Sequence, residues 1–125
     1  MEKIKFSAEL DVFEDRSKLP QEIQHLMSQA IEARDNAYAP YSSFKVGAAL
    51  LLENNETVIG SNQENASYPS GLCAERTAIY YAGAKYPQKA INAMAISAKS
   101  LNREIASPIP PCGACRQAIS EYEVN

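Results

Sequence analysis

A chain of 125 residues, 46% apolar and 22% charged, fits one compact domain with a single core, and its composition is neither that of a disordered chain nor that of a membranous one. A formal net charge of −3 without a Lys/Arg cluster argues against nucleic acid as a partner and favours a small neutral ligand. Three cysteines cannot all pair, and a Cys-x₂-Cys spacing between two of them points to metal or thiolate chemistry in a reducing compartment, not to a disulfide framework.

The amino terminus, Met-Glu-Lys-Ile-Lys-Phe, has no apolar signal-like stretch, and no apolar run is long enough to span a bilayer, so a cytoplasmic protein without a membrane partner is expected. Residues 1 to 18 mix charge with Phe6, Leu10, Val12 and Phe13 in weak alternation, which suits an edge strand or an extended arm. From Pro20, the positions Ile23, Leu26, Met27, Ala30, Ile31, Ala37 and Tyr38 follow three-and-four spacing and predict an amphipathic helix. Pro20 suits its first turn, and Pro40 should force its exit. The only histidine, His25, lies between Gln24 and Leu26 with no ligand partner nearby, and reads as structural.

Phe44 to Leu52 and Thr57 to Asn62 flank the polar turn Glu53-Asn-Asn-Glu56 and predict a hairpin whose first strand, nearly all apolar, is covered on both faces. Gly47 and Ala48 leave room for another element to approach. Glu64 to Ser70 is polar and turn-rich, and Ser70 or Gly71 is placed to cap a helix from Cys73 to Ala84. That helix is apolar almost all round and should be buried and central, with Glu75 and Arg76 as exceptions. Ala90 to Ser97 predicts a third strand, residues 98 to 109 a polar loop, and Pro110-Pro111 the start of a last helix from Cys112 to about Tyr122. Helix, hairpin, helix, strand, helix is the order of an α/β domain with a mixed sheet between helix layers.

Two stretches carry chemistry: Ser70-Gly-Leu-Cys-Ala-Glu-Arg-Thr-Ala78 and Pro110-Pro-Cys-Gly-Ala-Cys-Arg-Gln117. Cys112 and Cys115, three apart on a first helical turn, can close on one soft ion, and Cys73 would be the third ligand. Three protein ligands leave a tetrahedral zinc one open position, beside which Glu75 offers a carboxylate. Structural zinc normally takes four protein ligands, so this count favours a catalytic centre over a Glu75–Arg76 ion pair in a structural one. A redox Cys-Gly-Ala-Cys would leave Cys73-Ala-Glu75 without a purpose.

Cys73-Ala-Glu75 with Pro111-Cys-Gly-Ala-Cys115 resembles the zinc-deaminase signature. The extended Cys73-Ala-Glu-Arg-Thr-Ala78, with Tyr41-Ser-Ser-Phe-Lys-Val-Gly-Ala-Ala49 and Asn62-Gln-Glu-Asn-Ala-Ser-Tyr68, is similar to the small, all-cysteine class of cytidine deaminases over residues 20 to 123. The resemblance implies a three-layer α/β/α fold with a central mixed sheet, one domain over 1–125, and one Zn²⁺ per chain on Cys73, Cys112 and Cys115. It further implies hydrolytic deamination of cytidine and deoxycytidine to uridine and deoxyuridine in pyrimidine salvage, with zinc-activated hydroxide attacking C4 and Glu75 shuttling protons. Phe44 would pack on the pyrimidine, Asn62 and Glu64 would grip the ribose, and Ala74 would also contact the nucleoside.

Zn²⁺ with three thiolates sums to −1, and two helix amino termini together with Arg76 are available to drain that charge. Relatives of this class are homotetramers that continue beyond the position of Asn125 with further strands and a helix. A C-terminally short domain with an open sheet edge and a part-covered helix face at Ala118, Ile119 and Tyr122 is therefore expected. The competing readings are an aminohydrolase of a modified nucleoside and a zinc-stabilised binding domain with a degenerate site.

Overall fold

A computed structural model describes residues 1 to 123. Helix α1 (Gln21–Asp35) buries Leu26, Ala30 and Ala33, the face that three-and-four spacing requires. Two boundary expectations are corrected. Pro20 sits outside the first turn as the N-cap, with an extended ψ of 143°. The helix stops well before Pro40, because the backbone of Tyr38 is claimed elsewhere: its N–H donates to Asn62 O and its carbonyl accepts from Glu64 N. Of the two readings for residues 1 to 18, the arm is found and the strand is not. The segment is exposed throughout, and its regular structure among the described residues is a 3-10 turn at Arg16–Lys18 capped by Asp15.

Strands β1 (Phe44–Leu52), β2 (Thr57–Ser61) and β3 (Ile91–Ser100) form a sheet in the order β2-β1-β3. The hairpin forms as expected, and Asn55 takes the left-handed conformation (φ 62°) in its turn, which asparagine tolerates. The sheet expected to be mixed has antiparallel pairing in both ladders. β2 and β3 run the same way, but β1 lies between them, so their parallel relation makes no ladder.

Period-two alternation sends β1 side chains to two layers. Ala49 and Leu51 join Leu26, Ala30 and Ala95 in a cluster under α1. Ala48, Leu50 and Leu52 join Val58 and the residues Ala74, Ala78, Ile79 and Ala82 of α2 (Ala74–Lys85), with Ala118 of α3 (Gly113–Tyr122). The result is the three-layer α/β/α arrangement. Two glycines set the layer spacing. A Cβ on Gly47 would lie 2.1 Å from the Ala30 carbonyl oxygen, and one on Gly60 would lie 2.6 Å from Ala78 N.

α2 is less enclosed than its composition predicts, because its tyrosines carry polar tips that reach water. Tyr80 and Tyr81 are exposed, and the Lys85 ammonium lies 5.7 Å from the Tyr81 ring and 5.2 Å from that of Tyr86. Nor do Ser70 and Gly71 cap α2. They close the 3-10 turn Tyr68–Ser70, and Cys73 itself is the N-cap. Pro110 and Pro111 likewise precede α3 without entering it, and Cys112 is the N-cap. On α3, Ala118 is buried, Ile119 half-buried and Tyr122 exposed, and the outer edge of β3 pairs with no strand among the described residues. The expected end of the chain, Val124 and Asn125, lies outside the described residues.

Gly47→Ala should force α1 off β1 and cost about 1–3 kcal/mol or more, since the obstructing atoms are backbone. Gly113→Ala, where a Cβ meets nothing within 4 Å, should be neutral or stabilising by about 0.5–1 kcal/mol. Urea denaturation of both variants measures the contrast; equal midpoints would refute the close-approach argument.

Candidate metal centre and adjoining cavity

Cys73 and the Cys112/Cys115 pair converge because each stands at a helix start. Cys73 is the N-cap of α2 and Cys112 the N-cap of α3, with Cys115 in the first turn behind it. Their sulfurs all lie within 4.8 Å of one another, and Cys73 Sγ is 3.7 Å from Cys112 Sγ. Two thiolates bound tetrahedrally to zinc at about 2.3 Å each would stand about 3.8 Å apart, so the spacing and the soft donors both fit this ion. Among the described residues this is the one cluster of three or more His, Cys, Asp or Glu that could hold a metal. His25 takes no part and is exposed on α1.

The surroundings separate the thiols. The backbone N–H of Cys115 donates to Cys112 Sγ at 3.4 Å, and this bond, against some burial, holds the Cys112 thiol below its ordinary range. Cys115 is fully buried, and burial pushes its thiol far up, aided by Cys112 and by the charge of Glu75. Glu75 is itself only 5% exposed, and no described residue forms a hydrogen bond with its carboxylate. An ionised carboxylate can accept about four hydrogen bonds, so Glu75 has its capacity in hand for a ligand.

Arg76 donates to Cys73 Sγ at 3.7 Å, and this bond keeps the guanidinium firmly protonated despite partial burial. Its Nε is buried without a partner. A cation half-buried against thiolates is the charge compensation expected of an anionic metal centre. Thr77 adds local rigidity by donating to the Cys73 carbonyl at 3.1 Å.

Beside the sulfurs opens a cavity of about 790 Å³, whose walls include Cys73, Arg76, Asn62, Glu64, Tyr41 and Tyr68. Four of the expected site residues therefore share one space. Phe44, Ala74, Glu75, Cys112 and Cys115 do not line it: Phe44 is half-buried at the first position of β1, Ala74 and Cys115 are fully buried, and Glu75 is nearly so. Asn62 spends its amide on β1, accepting from Val46 N at 2.8 Å and donating to the Phe44 carbonyl at 2.9 Å.

Glu64 accepts from Tyr41 N at 2.9 Å, Ser42 N at 3.2 Å and the Ser42 hydroxyl. Some desolvation opposes these bonds, yet together they hold its carboxyl below the usual range. Their contribution to the turn is thus complete above the ordinary carboxylate pKa and is lost as pH falls through the lower folded value. Tyr41, Ser42 and Tyr68 had no assigned role in the sequence reading, although all three stand inside the quoted motifs.

Stripped of metal, the three thiols should alkylate in a fixed order. Iodoacetamide should label Cys112 first, as an exposed thiol with a lowered pKa, and Cys115 last, as a buried one with a raised pKa. Peptide mass mapping over time reads the order, and zinc should suppress all three labels. Early labelling of Cys115 would contradict the geometry.

Residues 20–125 match the family described as the cytidine and deoxycytidylate deaminase zinc-binding region. A cytidine deaminase of Halalkalibacterium halodurans is 46% identical over 98 residues, covering 78% of this chain and 70% of that protein. One from Sporosarcina psychrophila is 41% identical over 101 residues, covering 81% and 70%. Among solved structures, the cytidine deaminase of Burkholderia pseudomallei superposes with a TM-score of 0.69 at 44% identity, covering 83% of this chain and 77% of that one. That of Mycobacterium tuberculosis gives 0.70 at 33% identity, covering 82% and 79%. With a thiolate triad whose spacing suits zinc and a family match over five-sixths of its length, the chain belongs to the cytidine and deoxycytidylate deaminase family.

Proposed function

We propose that this chain, as a single domain, hydrolyses cytidine and deoxycytidine to uridine and deoxyuridine, consuming water and releasing ammonia. The observation that carries this reading is the buried, unengaged Glu75 carboxylate beside three sulfurs spaced for one zinc. Cys73, Cys112 and Cys115 would hold the ion, which would supply the Lewis acidity that lets a water lose its proton near neutral pH. Glu75 would take one proton from the attacking water and deliver it to N3 of the pyrimidine so that C4 becomes electrophilic, then take the second proton from that same oxygen and hand it to the departing amine. Arg76 and the amino termini of α2 and α3 offset the charge of three thiolates.

Asn62 and Glu64 read the sugar with the capacity their structural bonds leave over. Three of the roughly four acceptor positions on Glu64 are taken within the chain, which leaves about one for a hydroxyl. Asn62 retains one N–H and one lone pair. The family resemblance assigns the base contact to Phe44, whose backbone Asn62 grips and whose side chain stands outside the cavity wall in this structure. The same reading places the protein in cytoplasmic pyrimidine salvage as a homotetramer, and the exposed tyrosines of α2 with the edge of β3, unpaired among the described residues, support a subunit contact.

Glu75→Ala should keep its zinc, measured by atomic absorption, while losing about 10²-fold or more in cytidine turnover followed by ultraviolet absorbance. Turnover retained in this variant would remove Glu75 from the chemistry. Separately, Glu64→Ala should lose about 2–4 kcal/mol in kcat/KM on cytidine while leaving any rate on free cytosine nearly unchanged. Equal losses on both substrates would show that Glu64 does not read the sugar.

A further inference from the structure

We infer that Ser42 is a positioning residue for the nucleoside: its hydroxyl joins the sugar-reading carboxylate to the strand start that carries Phe44. The inference rests on the assignment of Phe44, Asn62 and Glu64 to the nucleoside. Ser42 lines the cavity and is exposed to it. Its hydroxyl has one proton to give and gives it to Glu64 Oε1, while its oxygen accepts from Phe44 N at 3.1 Å. The polarity of this relay is fixed, because an ionised carboxylate can only accept and a backbone N–H can only donate.

The relay closes a circuit of four residues. Glu64 Oε2 also takes the backbone N–H groups of Tyr41 and Ser42, and Asn62 takes the carbonyl of Phe44 and the N–H of Val46. Ser43 completes the turn with a φ of 55°, a conformation that a non-glycine residue holds only when its surroundings impose it. Removing the Ser42 hydroxyl would free one carboxylate oxygen to rotate and leave the Phe44 N–H without its partner. Both groups would then keep their identity and lose their aim. The zinc ligands and Glu75 share no hydrogen bond with this circuit, so ground-state binding should suffer more than the chemical step.

The test compares wild type with Ser42→Ala, Ser42→Thr and Ser42→Val, the last two being alike in shape with and without the hydroxyl. Cytidine KM should rise about 10-fold in Ser42→Ala and Ser42→Val with kcat within about 3-fold, and Ser42→Thr should stay near wild type. Affinity for uridine, a ligand that needs no turnover, should fall in parallel by calorimetry. The Phe44 amide resonance should shift in Ala and Val but not in Thr, and zinc content should not change in any. Wild-type KM and uridine affinity in both Ala and Val would overturn the role of Ser42 alone. Should Ala fail to fold, the Thr and Val pair decides, and equal behaviour of those two overturns the role as well. A wild-type protein that neither deaminates cytidine nor binds uridine would overturn the nucleoside reading and this inference with it.

Discussion

Three sulfurs can share one cation only if the helix starts that carry them are held end against end, and the seam between sheet and helix sets that approach. Gly60 admits the backbone of Ala74 and Ala78 at distances no side chain would allow. The small residues Ala74, Ala78 and Ala82 line the same face of α2. With α2 seated this deeply, its first turn projects Cys73 to the place where α3 delivers Cys112 and Cys115. Packing at this seam and metal binding are therefore coupled, as in other sites where the ligands come from separate elements.

Placing cysteines at helix starts also addresses an electrostatic difficulty. Three thiolates around a divalent cation leave a net negative charge, and a partly buried anion needs compensation. The start of α3 supplies part of it, through the bond from Cys115 N to Cys112 Sγ, whereas the Cys73 side chain accepts no such bond from α2. Arg76 supplies a full positive charge against Cys73 from one turn away. Glu75 stands on the same turn and is left unengaged, so two adjacent residues of opposite charge serve separate purposes and not each other.

The cavity wall is built by the same economy of local bonds. β2 ends at Ser61, and the residues just beyond it turn back to hold the Tyr41–Phe44 turn through Asn62 and Glu64. Polar groups that a sequence reader would assign wholly to a ligand are thus half committed to the fold. This limits the hydrogen-bonding capacity each has left for the cavity.

The thiol cluster was legible in the sequence, since Cys73, Cys112 and Cys115, which the fold brings within 4.8 Å of one another, are recognisable from side-chain chemistry and spacing, with Glu75 two residues from Cys73. The sequence also determined α1 and the hairpin, whose periodicities are local properties of the chain. Helix ends were less legible: Pro20, Ser70 and Pro111 carry start signals, yet the caps fell to Pro20 itself, Cys73 and Cys112, in the case of Ser70 because it closes the 3-10 turn Tyr68–Ser70. Strand pairing needed the tertiary structure, because placing β1 between β2 and β3 is a choice among distant partners that no local pattern encodes. The burial of Glu75, the exposure of Tyr80 and Tyr81, and the bonds that spend most of Glu64 belong to the same class. Each depends on which groups distant in the chain come to lie within hydrogen-bond reach, and only the folded chain decides that.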